Sequence, residues 1–368
     1  MSRRTPRAVA TALLLLFASA GGILAADTFD LTSPLPSTCV ATPGAVYSVK
    51  GGALVPVRGT FSMFPPGQQP LAPDFQAGTS ATPGEVARLY IRSTDALDSM
   101  SVLLALPGKA PLTRTRGFRV SSNGGSELWV ALLGIPADGM ARSRTLTVDV
   151  TAGARTWLFL EPFSVMGRRF FTERISLSKA LTSLATTPDP RKIAEGRSLA
   201  LALATPHPDA LFQTGPFVDP LSGAHRTGGY GDRREYDYDD GTTGSSVHEG
   251  LDIGAPQGTP VLACGNGRVV IADTRILTGN TVVIEHLPGL FSIYFHMSEL
   301  DAKVGDVVAQ GAVIGKVGMT GFATGPHLHW EVQASGVPVD PEALIKAPLL
   351  DKNADIVDIE PRIGTEGR

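Results

Sequence analysis

Apolar and polar positions along this chain change period twice. From Glu85 onward short runs alternate: Val86 to Arg92, Ser101 to Leu106, Leu128 to Leu133, Thr145 to Val150 and Thr156 to Leu160, split by Pro-Gly, Asn-Gly-Gly and Ala-Gly turns. Alternation of that length between turn signals is the mark of half-buried strands. The spacing predicts a β-sandwich compatible with an immunoglobulin-like module, although the cysteine and tryptophan landmarks of antibody domains are missing. The stretch before it, Asp27 to about Gln76, is rich in Pro, Gly and Thr and offers weaker strand-like pieces at Ala45 to Lys50 and Ala53 to Arg58. Between Ser176 and Ala204 the period turns helical, through Leu177, Ala180, Leu181 and Leu184 and then Ile193, Leu199 and Leu203. Thr186-Thr187-Pro188-Asp189-Pro190 breaks it, so two short helices are expected. Past Thr205-Pro206-His207-Pro208 the chain is Gly-rich and strand-like to about Lys346, and it closes on a polar tail. The expected layout is mainly β: a β-rich module over 27–175, a helical connector over 176–210, a second domain over 211–346 and a tail over 347–368.

Composition narrows the classes. A chain of 368 residues can bury a sizeable core, so neither a metal nor a disulfide is needed merely to fold it. The net charge is -3 with 18% charged residues and no basic stripe, which argues against nucleic acid as a partner. Arg3, Arg4 and Arg7 precede an apolar run from Ala8 to Ala20, then Gly21-Gly22 and Ala25-Ala26, so residues 1–26 read as a secretory signal peptide. That run is short of the ~20 apolar residues that span a bilayer, and no later segment could span either. No cysteine follows it closely enough for lipid attachment. The mature protein is expected in the periplasm or outside the cell, without an integral membrane segment; nothing sets its oligomeric state. Cys39 and Cys264 are the only cysteines, and the compartment permits a disulfide between them without requiring one.

The chemistry is concentrated in the second domain. Gly325-Pro326 fixes a turn, and the run after it alternates, putting His327, His329 and Glu331 on one face and Leu328, Trp330 and Val332 on the other. In Val247-His248-Glu249-Gly250-Leu251-Asp252 the glycines, with Gly254 and Pro256, disfavour a helix, and an extended segment puts His248 and Asp252 on one face with Glu249 turned away. Two imidazoles and one carboxylate are the donor count of a catalytic zinc that keeps its fourth position open. Ser292 to Ser298 alternates too, placing Ser292, Tyr294 and His296 together, and His296 and His327 are then spare imidazoles for proton transfer.

His248-x-x-x-Asp252, Gly258-Thr259-Pro260-Val261 with Gly267-x-Val269, Tyr294-x-His296, Gly305-Asp306-x-Val308-x-x-Gly311-x-x-Ile314-Gly315 and Thr324-Gly325-Pro326-His327-Leu328-His329-Trp330-Glu331 occur in order. Together, over about Tyr230 to Pro341, they resemble the lysostaphin and LytM-type zinc metallopeptidases, peptidoglycan endopeptidases. The resemblance implies an antiparallel β-sheet with a groove along one face, one zinc on His248, Asp252 and His329, His296 and His327 as catalytic imidazoles, and peptidoglycan peptides as substrate. Some such relatives have lost ligands and act as non-catalytic, wall-binding regulators of other hydrolases; all five positions are intact here. The chain departs from the family in an acidic, Tyr-rich loop, Glu235 to Gly241, which either brings Tyr236 or Tyr238 to the site or leaves both solvated. His286 is expected to be structural, and His207 and His225 are assigned nothing. The Gly305-Asp306 and Gly311 hairpins resemble those of biotinyl carriers, but no lysine is centred in the turn such a carrier modifies.

Overall fold

The computed structural model describes residues 46–50, 53–58, 74–106, 108–123 and 126–350. The expected signal peptide, Cys39 and residues 351–368 of the tail lie outside the described residues. Two compact units emerge among the described residues, one built mainly from residues 46–167 and the other from Arg168–Phe212 with Phe217–Ile345.

The first unit contains β1 (Val46–Lys50), β2 (Ala53–Arg58), β3 (Asp74–Ala77), β4 (Ser80–Ala81), β5 (Val86–Ser93), β6 (Ser99–Ala105), β7 (Pro111–Arg116), β8 (Phe118–Asn123), β9 (Ser126–Gly134), β10 (Arg142–Ala152) and β11 (Arg155–Val165). One sheet runs β2-β1-β11-β10-β6-β7 with β4 on β11; the other runs β3-β5-β9-β8. Alternation explains the core between them. Leu89 and Ile91 from β5 and Ala131 and Leu133 from β9 meet Val102 and Leu104 of β6, Leu146, Val148 and Val150 of β10, and Trp157, Phe159 and Phe163 of β11. This is a two-sheet sandwich. β7 and β8 were not expected, because β7 turns Thr113 and Thr115 inward where an aliphatic run would have signalled a strand.

In the second unit β12 (Thr172–Ser176) leads into helix α1 (Lys179–Thr186) and helix α2 (Pro190–Ala204). Ser178 caps α1 by accepting from the Leu181 N–H, and Asp189 caps α2 from its side chain, with Pro190 at the first helical position. Then follow β13 (His225–Gly228), β14 (Arg233–Asp237), β15 (Thr243–Val247), β16 (Gly250–Gly254), β17 (Pro260–Leu262), β18 (Gly267–Arg275), β19 (Gly279–Leu287), β20 (Leu290–Met297), β21 (Glu299–Leu300), β22 (Val307–Val308), β23 (Val313–Lys316), β24 (His327–Ala334), β25 (Val337–Val339) and helix α3 (Pro341–Lys346). The main sheet runs β13-β16-β24-β20-β19-β18-β22 with β25 on β24, and every pairing in it is antiparallel. A second sheet, β17-β23-β21, is antiparallel as well.

The connector does more than link. β12 pairs in parallel with β14, which pairs with β15, and α2 sets Leu199, Ala202 and Leu203 against Ile271, Val283, Phe291 and Ile293 of the main sheet. The segment expected as an acidic loop is largely the β14–β15 hairpin. Arg234, Tyr236 and Tyr238 alternate inward there, and Tyr236 and Tyr238 join Leu177 and Ala185 in a small core with Ile175, Leu181 and Phe322 beside it.

Candidate metal centre

Strand pairing brings the chemistry to one side of the main sheet. Asp252 lies opposite His329, Gly250 opposite Glu331, and Phe295 opposite His329. Directly paired residues share a face, so Asp252, His329, Glu331 and Phe295 point the same way. Leu251, Ile253, Leu328, Trp330 and Val332 turn to the other side and are buried, and that apolar face holds the ligand face in register. Phe295 stacks on the His329 ring with centroids 5.1 Å apart and planes 9° from parallel. Gly250 lets the two strands close: a Cβ there would stand 2.5 Å from the Trp330 carbonyl oxygen and 3.0 Å from His329 Nε2.

His248 arrives from the turn between β15 and β16. Its Nδ1 donates to the Gly229 carbonyl at 2.7 Å, which leaves a lone pair on Nε2. That Nε2 lies 3.2 Å from Asp252 Oδ1 and 3.0 Å from His329 Nδ1, and His329 Nδ1 lies 3.0 Å from the same Oδ1. On the far side of the ring, His329 Nε2 faces Glu331 Oε2 at 3.6 Å. Ligand atoms of His248, Asp252 and His329 all lie within 4.8 Å of one another, and the three side chains are buried. Burial pushes the His248 pKa down against the pull of Asp252. Burial opposes charge on His329 too, but Asp252 and Glu331 outweigh it and raise that group to about 9. Asp252, despite burial, is held well below the usual carboxylate range by the two histidines. The triad therefore attracts positive charge, and two nitrogens with one carboxylate oxygen suit a divalent ion of the zinc class. The residues fit the expected metal.

His296 reaches the site by a route that strict alternation does not describe. Tyr294 lies opposite Trp330, hence on the face away from His329, and alternation would send His296 there as well. His296 instead has φ 62, a left-handed conformation uncommon outside glycine and concentrated at functional sites. That twist returns its ring to the groove, 4.9 Å between centroids from His327. Its Nδ1 donates to the Thr320 carbonyl at 2.8 Å, and His327 Nδ1 donates to the Gly325 carbonyl at 2.8 Å. In the neutral Nδ1–H tautomer each ring presents an Nε2 lone pair to the groove; the Nε2 of His327 lies 3.6 Å from Asp252 Oδ1. Burial first, then the neighbouring His327 and His329, lower the His296 pKa to about 3. The expectation that Ser292, Tyr294 and His296 share a face is corrected accordingly. Ser292 and Tyr294 belong to a fully buried polar cluster with His286, whose Nε2 is 2.7 Å from Ser292 Oγ. In that cluster the Tyr294 hydroxyl accepts the Cys264 N–H at 2.9 Å. Cys264 is a buried free thiol, pushed up to about 12 by burial.

A cavity of about 360 Å³ covers the five residues, with Ile175, Tyr236, Phe322 and Pro326 among its apolar lining. Three lining groups escaped sequence reasoning. Arg234 Nη2 donates to Asp252 Oδ2 at 2.6 Å, and Arg234 Nε donates to Glu173 Oε1 at 2.5 Å. Phe295, the ring stacked on His329, is the third. The adjacent arginines at 233 and 234 were visible but carried no signal of which would turn inward. Glu249 also lines the cavity, so the expectation that it turns away is corrected: β16 begins only at Gly250, and the alternation does not extend back to 249. Burial and then Glu331 raise its carboxyl well above the usual range. Tyr236 lines the cavity with its hydroxyl 3.1 Å from Ser246 Oγ, whereas Tyr238 is buried in the small core. His207 Nδ1 pairs with the fully buried Glu285 at 2.5 Å.

The model for Peptidase family M23 matches residues 246–341. The DD-carboxypeptidase/endopeptidase Mpg of Neisseria meningitidis serogroup B is 44% identical over 95 residues, which cover 26% of this chain and 22% of that protein. The peptidoglycan DD-endopeptidase ShyB of Vibrio cholerae serotype O1 is 37% identical over 124 residues, 33% of this chain and 28% of that one. The chain thus spans less than a third of the length of these curated relatives. Among solved structures, the catalytic domain of the antimicrobial peptidase lysostaphin from Staphylococcus simulans is 31% identical, with 33% of this chain and 92% of that chain covered and a TM-score of 0.28. Residues 246–341, which carry every one of the five predicted site residues, belong to peptidase family M23.

Proposed function

We propose that this protein is a zinc-dependent endopeptidase, exported to the periplasm or beyond, that hydrolyses peptide bonds in the stem or cross-link peptides of peptidoglycan. The observation that carries the reading is the convergence of His248 Nε2, Asp252 Oδ1 and His329 Nδ1 beneath a cavity that two further imidazoles also line. The relatives named as DD-endopeptidases support the substrate class.

His248, Asp252 and His329 would hold the ion. Bound zinc supplies a Lewis acid for the scissile carbonyl and an acidified water as nucleophile. The rest falls to the chain. Backbone carbonyls at Thr320 and Gly325 fix the Nδ1–H tautomers of His296 and His327, so each Nε2 can accept a proton from the attacking water and return it to the leaving amine. In net terms one proton moves from water to nitrogen as the C–N bond breaks. Once protonated, either ring can also stabilise the negative oxygen that develops on the carbonyl. Phe295 and the apolar lining keep bulk water from the His329 side. Glu331, at the far side of His329, orients that ring through its second nitrogen.

We read the N-terminal sandwich as an immunoglobulin-like module that positions or binds, and the chain as exported by residues 1–26. No helix among the described residues is long and apolar enough to cross a membrane. A non-catalytic regulator is the alternative; the intact His, Asp, His set and the two spare imidazoles favour the enzyme. Elemental analysis tests the metal assignment. The mature protein should hold one zinc, and His248→Ala and His329→Ala should each lose it on dialysis; stoichiometric metal in both variants would defeat the assignment.

A further inference from the structure

The carboxylate of Asp252 is divided between two tasks. Its Oδ1 faces His248 Nε2, His329 Nδ1 and His327 Nε2 at 3.2, 3.0 and 3.6 Å. Its Oδ2 accepts from Arg234 Nη2 at 2.6 Å. Arg234 is itself held, because its Nε donates to Glu173 Oε1 at 2.5 Å. The side chains of Arg234 and Asp252 retain only 15% and 12% of their exposure, so little water competes for the contact between them, while Glu173 keeps 34%. Backbone geometry sets them up. Glu173 and Arg234 are direct partners in the parallel pairing of β12 with β14, and Gly228, opposite Asp252 in the β13–β16 pairing, makes room. A Cβ at 228 would stand 2.5 Å from Arg234 Nη2 and 3.1 Å from Asp252 Oδ2.

From this arrangement we infer that Glu173 and Arg234 are positioning residues of the metal centre: Arg234 occupies Oδ2 so that Asp252 offers a single oxygen, and Glu173 locks Arg234 in the orientation that does so. The inference rests on the metal assignment above and adds residues outside the matched range 246–341. A carboxylate free at both oxygens can close on an ion with both and fill a position that a catalytic site keeps open. Ligand carboxylates are commonly held by hydrogen bonds in this way, and losing such a partner weakens metal binding by about 10- to 100-fold. Ile175 on the same strand and Leu177 just past its end line the same cavity. One face of β12 is therefore part of the site, although it lies 70 residues before the family's sequence motif begins in the chain's numbering, counting from Ser176 to Ser246.

The test uses the full mature chain loaded with zinc or with cobalt(II). Zinc affinity is measured by competition with a chromophoric chelator, and the ligand geometry is read from the visible absorption of the cobalt form. Glu173→Gln and Arg234→Met should each weaken zinc binding by about 10- to 100-fold and alter the cobalt spectrum. Arg234→Lys, which keeps a donor, should recover part of the loss. In a double-mutant cycle Glu173→Gln should add nothing to Arg234→Met, since both act through one contact. Arg174→Ala removes the neighbouring pair with Asp237, at 2.7 Å on the other face of β12, and should leave affinity and spectrum alone. Unchanged affinity and spectrum in Glu173→Gln and Arg234→Met would overturn the inference. So would an equal loss in Arg174→Ala, which would point to seating of the strand and not to the contact. If the wild type itself takes no zinc, or if His329→Ala binds it as well as wild type, the failure belongs to the metal assignment instead.

Discussion

A single methyl group at Gly250 is a sharp perturbation aimed at the ligand-bearing strands. A Cβ there would lie 2.5 Å from the Trp330 carbonyl oxygen, 3.0 Å from its carbon and 3.0 Å from His329 Nε2. The first two are backbone atoms of a central strand and cannot swing aside as a side-chain end can. Relief must come from separating β16 from β24, and those strands carry Asp252 and His329 as direct partners. Overpacking of a closed interior costs about 1–3 kcal/mol. For a unit of this size that corresponds to a fall in melting temperature of roughly 2–12 °C, at about 2–4 °C per kcal/mol. The metal should suffer disproportionately, because the two atoms that must approach the ion together sit on the strands being parted. Gly250→Ala is therefore expected to remain folded at 25 °C by circular dichroism, melt earlier, and lose zinc to a chelator that wild type resists. As a control, Gly258→Ala perturbs a glycine with open space around it; its strain is conformational, from a φ of +89, and should lower stability without moving zinc affinity. Wild-type zinc affinity in Gly250→Ala would refute the claim that this strand pairing sets the ligand geometry.

His296→Ala and His327→Ala should lose on the order of 10²–10⁴-fold in turnover on peptidoglycan while keeping their zinc, measured by kinetics and elemental analysis on the same samples. Glu249→Gln should keep most of its turnover, because burial and then Glu331 already favour the uncharged form of that carboxyl; a dead variant that still holds zinc would reassign the proton transfer. His286 is held at about 4 by burial, against 6.5 for an ordinary histidine, so the unfolded chain takes up that proton first as pH falls. Its contribution is full above pH 6.5 and is lost toward pH 4, about 3 kcal/mol in all. Urea unfolding of His329→Ala across that range, with and without His286→Gln, checks it in a background free of the opposing His329 shift.

Much of the candidate site was legible because the residues proposed as ligands sit in short motifs whose spacing is set by strand geometry. His327-x-His329 needs only period-two alternation, and the buried Leu328, Trp330 and Val332 confirm the opposite face. Helices α1 and α2 announced themselves through period and through the Pro188-Asp189-Pro190 break. What stayed hidden depended on exceptions to alternation or on long-range pairing. His296 turns on one backbone angle, Glu249 on where a strand begins, and Arg234 on a partner 61 residues earlier in the chain. β12 carries Thr172-Glu173-Arg174-Ile175-Ser176, too short and too polar to read as a strand, and it becomes one because β14 is there to pair with it. The same pairing bears on fragments: one begun at Leu211 omits Glu173 and the α2 face packed on the main sheet, so it should bind zinc more weakly than one begun at Arg168.

The proposed reaction at the M23 site of this chain is metal-assisted hydrolysis of peptide bonds in peptidoglycan. Mass spectrometry of fragments released from purified sacculi by the mature protein tests it most directly. New peptide amino and carboxyl termini are expected, each cleavage adding one water, with release abolished by a zinc chelator and by His329→Ala and restored to the chelated wild type by added zinc. Sacculi left intact by zinc-loaded wild type, or fragments cut only within the glycan strands, would contradict it.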